Sequence, residues 1–135
     1  MIVNYIYWIS TALLSLLYFA SACLYIAKAD FVRNAQAELG YSASHLVPLM
    51  IVVKILGPAA ILSRVNLALS DLAYAGMFYH LLLSAFAHLA VNKPKGSIPA
   101  AAGLILLVAS FVTQNTVREL PSPYAPAAFI QTILE

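Results

Sequence analysis

Four long apolar stretches fill this chain, at about residues 5–27, 45–62, 69–91 and 98–117. A helix needs about 20 apolar residues to cross a hydrocarbon layer ~30 Å thick, and each stretch meets that length. Backbone polar groups find no water at that depth, so each stretch must satisfy its own hydrogen bonds as a helix. Short connections make consecutive helices antiparallel neighbours. The expected fold is therefore all-α, a transmembrane four-helix up-down-up-down bundle. It fills residues 1–135 as a single integral membrane domain, with residues 118–135 as a proline-containing C-terminal tail.

Composition supports this class. The 135 residues are 63% hydrophobic and only 9% charged, whereas soluble domains carry about 25% charged residues. A net charge of +2, scattered and without a basic run, argues against nucleic acid as a partner. The single cysteine, Cys23, can form neither an internal disulfide nor a CxxC pair. No basic residue precedes Tyr5, so the N-terminus reads as a first span rather than a signal peptide, with Tyr5, Tyr7 and Trp8 as an interfacial belt. Lys28, Arg33, Lys93 and Lys95 flank one side of the bundle, Arg64 and Arg118 the other. That bias places both termini outside a bacterial cytoplasmic (inner) membrane.

The connections carry their own signals. Phe31, Val32, Ala35 and Leu39 recur at helical spacing within residues 31–44, predicting a short interfacial helix in loop one that stops at Gly40. Ser42 or Ser44 is expected to cap the second span, and Ser70 and Asp71 to start the third. Gly57-Pro58 predicts a kink that frees carbonyls near Lys54. Residues 92–97 read as a turn, Pro99 suits a first helical turn, and residues 127–134 suit a short terminal helix.

Ionisable groups at membrane depth are costly and normally face the bundle interior. Lys54 lies mid-way along the second stretch; His80 and His88 lie in the third. On a helical wheel Ala73, Gly76, His80, Ser84, Ala87 and Val91 share one sector, which small residues mark as the packing face. Phe78, Leu82, Ala85, Phe86 and Leu89 oppose it and should meet lipid. Thr11, Ser15, Tyr18, Ala22 and Tyr25 form a comparable stripe on the first span, and Gly103, Ser110, Gln114 and Val117 on the fourth. Lys54 and His80 share a depth and can meet if their helices face each other. Two histidines eight residues apart, with no HExxH motif and no carboxylate cluster, do not make a metal site. Lys54, His80 and Tyr18 can supply the few convergent polar groups of a ligand pocket, joined by Ser84. Equally, they can serve as helix-to-helix hydrogen-bonding groups.

Three segments carry a resemblance to a known family: Val53-Lys54-Ile55-Leu56-Gly57, then Asp71-Leu72-Ala73-Tyr74-Ala75-Gly76-Met77-Phe78, and Ser84-Ala85-Phe86-Ala87-His88-Leu89. Leu39-Gly40-Tyr41 adds a fourth. In order and spacing they resemble the DoxX-like family of small four-span membrane proteins, over roughly residues 8 to 117. The resemblance implies a membrane four-helix bundle and singles out Lys54, Tyr74, Gly76 and His88. At the position of His80, many members carry an acidic residue instead. The family name derives from a relative in a quinone-linked thiosulfate oxidation complex, which implies redox or assembly roles.

The expected function is binding of a small apolar or quinone-like molecule in a polar-lined intramembrane pocket. Lys54, His80, Tyr18, Ser84, Tyr74 and Gly76 are the candidate ligand residues. Whether the protein is an enzyme stays open; for proton-transfer or redox-linked chemistry the candidates are His80, Lys54 and His88. The alternative is a non-catalytic accessory or assembly subunit, with a membrane protein or a second copy as partner. A transporter or proton pathway ranks third, because four spans are few for that task.

Overall fold

The computed structural model describes residues 2–128, and within them every regular element is helical. Helix α1 spans Ile2–Ala27, α2 Ala29–Glu38, α3 Leu46–Ser63, α4 Leu67–Ala90 and α5 Ile98–Thr113. A 3₁₀ turn, Pro94–Ser97, leads into α5, and another, Gln114–Thr116, extends it. Four helices among the described residues are long and apolar enough to cross a membrane; with its flanking 3₁₀ turns, α5 forms the fourth. Around the bundle α1 lies beside α3 and α5, and α4 completes the ring between those two. This is the up-down-up-down arrangement, with α1 and α4 on the diagonal.

The helix ends correct several sequence expectations. Helix α4 starts at Leu67, earlier than Ser70 and Asp71, because the Asn66 side chain caps it by accepting from the Leu69 amide at 2.9 Å. Asparagine offers a short acceptor in the extended conformation that caps prefer. Neither Ser42 nor Ser44 caps α3; His45 holds that position without a side-chain bond. Pro58 sits inside an unbroken α3. Gly40, at φ +93°, ends the loop-one helix as expected, and its left-handed backbone suits a residue without Cβ. Tyr7 leaves the predicted aromatic belt: it is only 1% exposed, whereas Tyr5 and Trp8 face outward. The predicted terminal helix at residues 127–134 lies almost wholly outside the described residues.

The core joins Leu14 and Tyr18 of α1, Ile61 of α3, Tyr74, Met77 and Leu81 of α4, and Ala100 and Leu107 of α5. Close approach is set at two glycines. A Cβ on Gly57 would lie 3.2 Å from Met77 Sδ, and one on Gly103 would lie 2.8 Å from Leu81 Cδ2. Small residues permit this contact between membrane helices.

Helix α4 is turned relative to its predicted face. Ser70, Tyr74, Met77 and Leu81 are its buried residues. His80 is half-buried at the edge of that face, and Gly76 is exposed with open space around it. The small-residue sector is therefore a flank, because bulky Tyr74, Met77 and Leu81 fill the centre of a four-helix bundle better than small residues do. Phe86 faces outward as expected. At the loop end, Lys93 pairs with Glu38 and ties α2 to the 92–97 connection. The hydrogen bond and charge of that ammonium hold the Glu38 carboxyl below the usual carboxylate range.

Candidate functional site

The interior polar groups fall into three levels along the bundle. At mid-depth, α3 directs Lys54 inward, where the residue is 5% exposed. Its Nζ lies 4.7 Å from the ring centre of Tyr25 and 5.4 Å from that of Tyr18, both on α1. Aromatic faces attract a cation, and desolvation strengthens the attraction. Among the described residues the ammonium has no hydrogen-bond acceptor and no carboxylate partner. The tyrosine stripe of α1, not a carbonyl near Pro58, takes the place beside Lys54.

Tyr18 links this lysine to His80. Its hydroxyl lies 2.8 Å from His80 Nδ1, across the bundle diagonal, and donates a longer bond of 3.4 Å to the Met77 carbonyl. The two rings meet edge to face with centroids 5.6 Å apart. One proton can lie on either partner: the phenol donates to Nδ1, or Nδ1–H donates to the phenol oxygen while the phenol proton turns to the carbonyl. Lys54, Tyr18 and His80 thus form one cluster.

The second level is a hydroxyl triad. Ser110 of α5 lies 2.6 Å from Thr11 Oγ1 of α1 and 2.7 Å from Tyr74 OH of α4. Tyr74, a candidate ligand residue, therefore has its hydroxyl engaged here, with its ring edge-on to Phe111 at 5.3 Å. The third level closes the end where α1 begins and α5 ends. Arg118 donates to Gln114 Oε1 at 2.9 Å and to Ser70 Oγ at 2.6 Å. Ser122 Oγ donates to Asp71 Oδ1 at 2.8 Å, and Asn115 donates to the carbonyls of Ser122, Ala125 and Pro126. These bonds fold the proline-containing tail back onto the bundle. Arg64, at φ 56°, bonds the Val117 carbonyl at 2.9 Å and stacks on Trp8 and Tyr7.

The remaining candidates stand apart. Ser84 is half-buried on the α4 flank beyond His80, and Gly76 is exposed. His88 packs against the 3₁₀ turn, where a Cβ on Gly96 would meet its Nδ1 at 2.2 Å. That nitrogen is buried and has no hydrogen-bond partner among the described residues. A cavity of about 650 Å³ lies between α4 and α5, reached by Tyr74 but not by Lys54, His80 or Tyr18.

The longer segments that carry the earlier resemblance lie on α3 and α4, where Lys54 and Tyr74 are buried and Gly76 is exposed. The family model for the DoxX-like family matches residues 9–112. The chain belongs to the DoxX-like family. Neither a search of curated proteins nor one of solved structures gave a match. Membership accounts for the four apolar helices and makes this a multi-pass integral membrane protein.

Sequence reasoning missed the Ser110 triad, Arg64 and the tail latch. The triad could have been found from Thr11 and Ser110 standing on the two predicted polar stripes. No local signal marked Arg64, whose partners lie on α1 and after α5.

Proposed function

We propose that this membrane protein binds a small apolar, quinone-like molecule at the Lys54–Tyr18–His80 cluster. The observation that carries this reading is the buried lysine ammonium that meets only tyrosine rings. Desolvated donors without an acceptor are costly, and a ligand oxygen would satisfy this one. The adjacent Tyr18–His80 pair could exchange a proton with the same oxygen. Family membership supports a membrane setting; the cytoplasmic membrane of a bacterium, with both termini outside, fits the distribution of lysine and arginine. Thermal stability of the protein in lipid nanodiscs, with and without short-chain benzoquinones and naphthoquinones, tests the proposal. A saturable rise in melting temperature that disappears in Lys54→Met is expected. No shift with either quinone class, or an undiminished shift in Lys54→Met, would overturn it.

A second reading, an accessory subunit docking another membrane protein, draws on the open flank around Gly76. Under it, Gly76→Leu would release the partner in mild detergent while Lys54→Met kept it bound, and neither quinone class would raise the melting temperature.

A further inference from the structure

The cavity between α4 and α5 is separate from the cluster just described and carries its own chemistry. Its wall on α4 runs from Ala68 to Tyr79, about 16 Å of helix at 1.5 Å per residue. Five aromatic rings line it: Tyr74, Phe78 and Tyr79 of α4, Phe111 of α5 and Tyr124 of the tail. The remaining lining is aliphatic, apart from one charged side chain, Asp71. Asp71 stands near the start of α4, so the carboxylate marks one mouth of a space whose depth is apolar.

Asp71 is left with charge to offer. Its one described bond is the hydroxyl of Ser122. Among the described residues no cationic side chain lies within ion-pair distance of it; the described pairs are Arg33–Asp30 and Lys93–Glu38. Arg118 turns instead to Ser70 and Gln114, neither of which lines the cavity. Leu72, Tyr79 and Val108 are exposed, so the cavity opens sideways, toward lipid. A carboxylate at the mouth of an aromatic, apolar space is complementary to a cation of low hydration, because the rings attract the charge and the walls take the hydrocarbon.

We propose that the α4–α5 cavity binds a lipophilic cation, a hydrophobic amine or quaternary ammonium, with its charge at Asp71 and its apolar body against Phe78, Tyr79 and Phe111. The site loads from the bilayer and works independently of Lys54.

Equilibrium binding of tetraphenylphosphonium to the full chain in phosphatidylcholine nanodiscs tests this, with empty nanodiscs subtracting membrane partition and tetraphenylborate as the anion of equal size. The expected result is saturable uptake of the phosphonium alone. Asp71→Asn, which keeps an oxygen for Ser122, should weaken binding at least tenfold. Ala75→Trp, at an exposed position on the cavity wall, should abolish it without lowering the melting temperature, and it carries the test if Asp71→Asn fails to fold. Lys54→Met should leave it unchanged. Uptake no greater than by empty nanodiscs, equal uptake of the borate, or wild-type binding by a folded Asp71→Asn or by Ala75→Trp would overturn the proposal. So would phosphonium binding that vanishes in phosphatidylethanolamine nanodiscs, since the occupant would then be a lipid ammonium headgroup.

Discussion

Lys54 is a cation enclosed by helices and answered only by rings, and that imbalance has a measurable consequence. An ammonium at bilayer mid-depth costs about 2.5–3.5 kcal/mol on insertion scales, whereas a desolvated cation–π contact returns about 2 kcal/mol. Methionine has a similar volume and no charge. Lys54→Met should therefore fold with unchanged or higher stability, by up to about 1.5 kcal/mol from that difference, in reversible unfolding from mixed micelles. A clear loss of stability would mean that the lysine has a partner beyond Tyr18 and Tyr25. Ser110 behaves in the opposite sense. It is fully buried and shared by Thr11 and Tyr74, so Ser110→Ala strands two hydroxyls and should cost about 1–3 kcal/mol in the same assay. His80 was expected on the bundle axis because of its small-residue companions. It reaches Tyr18 from the edge of the packing face instead, and helix periodicity could not distinguish those positions while the bulk of Tyr74, Met77 and Leu81 was left out of the wheel.

Between elements, the contacts that matter are those the chain makes far from its own neighbours. Helix α2 is held to the 92–97 connection by Glu38 and Lys93. The folded pairing lowers the carboxyl's proton affinity, so its contribution is fully present above the ordinary glutamate value of about 4.3. It is lost as the pH falls through the lower folded-state value. A spin label at Asn34, with Cys23→Ser as background, should gain mobility only in that acidic range, and Glu38→Gln should be mobile at every pH. A label whose mobility rises near neutrality would show another group to be responsible. The turn before α5 is tighter. Adding Cβ at Gly96 forces the whole His88 ring aside, so Gly96→Ala should destabilise by about 1–3 kcal/mol, as overpacking does. Gly103→Ala should cost less, because the atom nearest its Cβ is the tip of a leucine side chain. Helix ends show where local sequence reading stops. Gly40 is legible from its own backbone demand, but Asn66 displaced Ser70 and Asp71 as the start of α4, and those two are engaged by Arg118 and Ser122 from beyond α5.

At the scale of the molecule, the outer surface reads as a lipid-facing one. Leu16, near the middle of α1, is 64% exposed. On a soluble helix an exposed leucine tolerates lysine; in a bilayer Leu16→Lys should cost about 2.5–3.5 kcal/mol of insertion free energy. A glycosylation-mapping assay of α1 insertion measures that difference, and an unimpaired Leu16→Lys would argue that this face is covered by protein. The spans, their helical state and the loop-one helix were legible in the sequence because bilayer thickness and backbone hydrogen bonding act on each segment separately. The pairing of Lys54 with Tyr18 was half legible, since a charged group at membrane depth is expected to face inward and Tyr18 stood on the predicted polar stripe of the first span. The rotation of α4, the burial of Tyr7 beneath Arg64, the Ser110 triad and the folded-back tail were decided only by tertiary structure. Each depends on which side chains best fill the space among four helices at once. That is a property of their joint packing density, which no segment carries by itself.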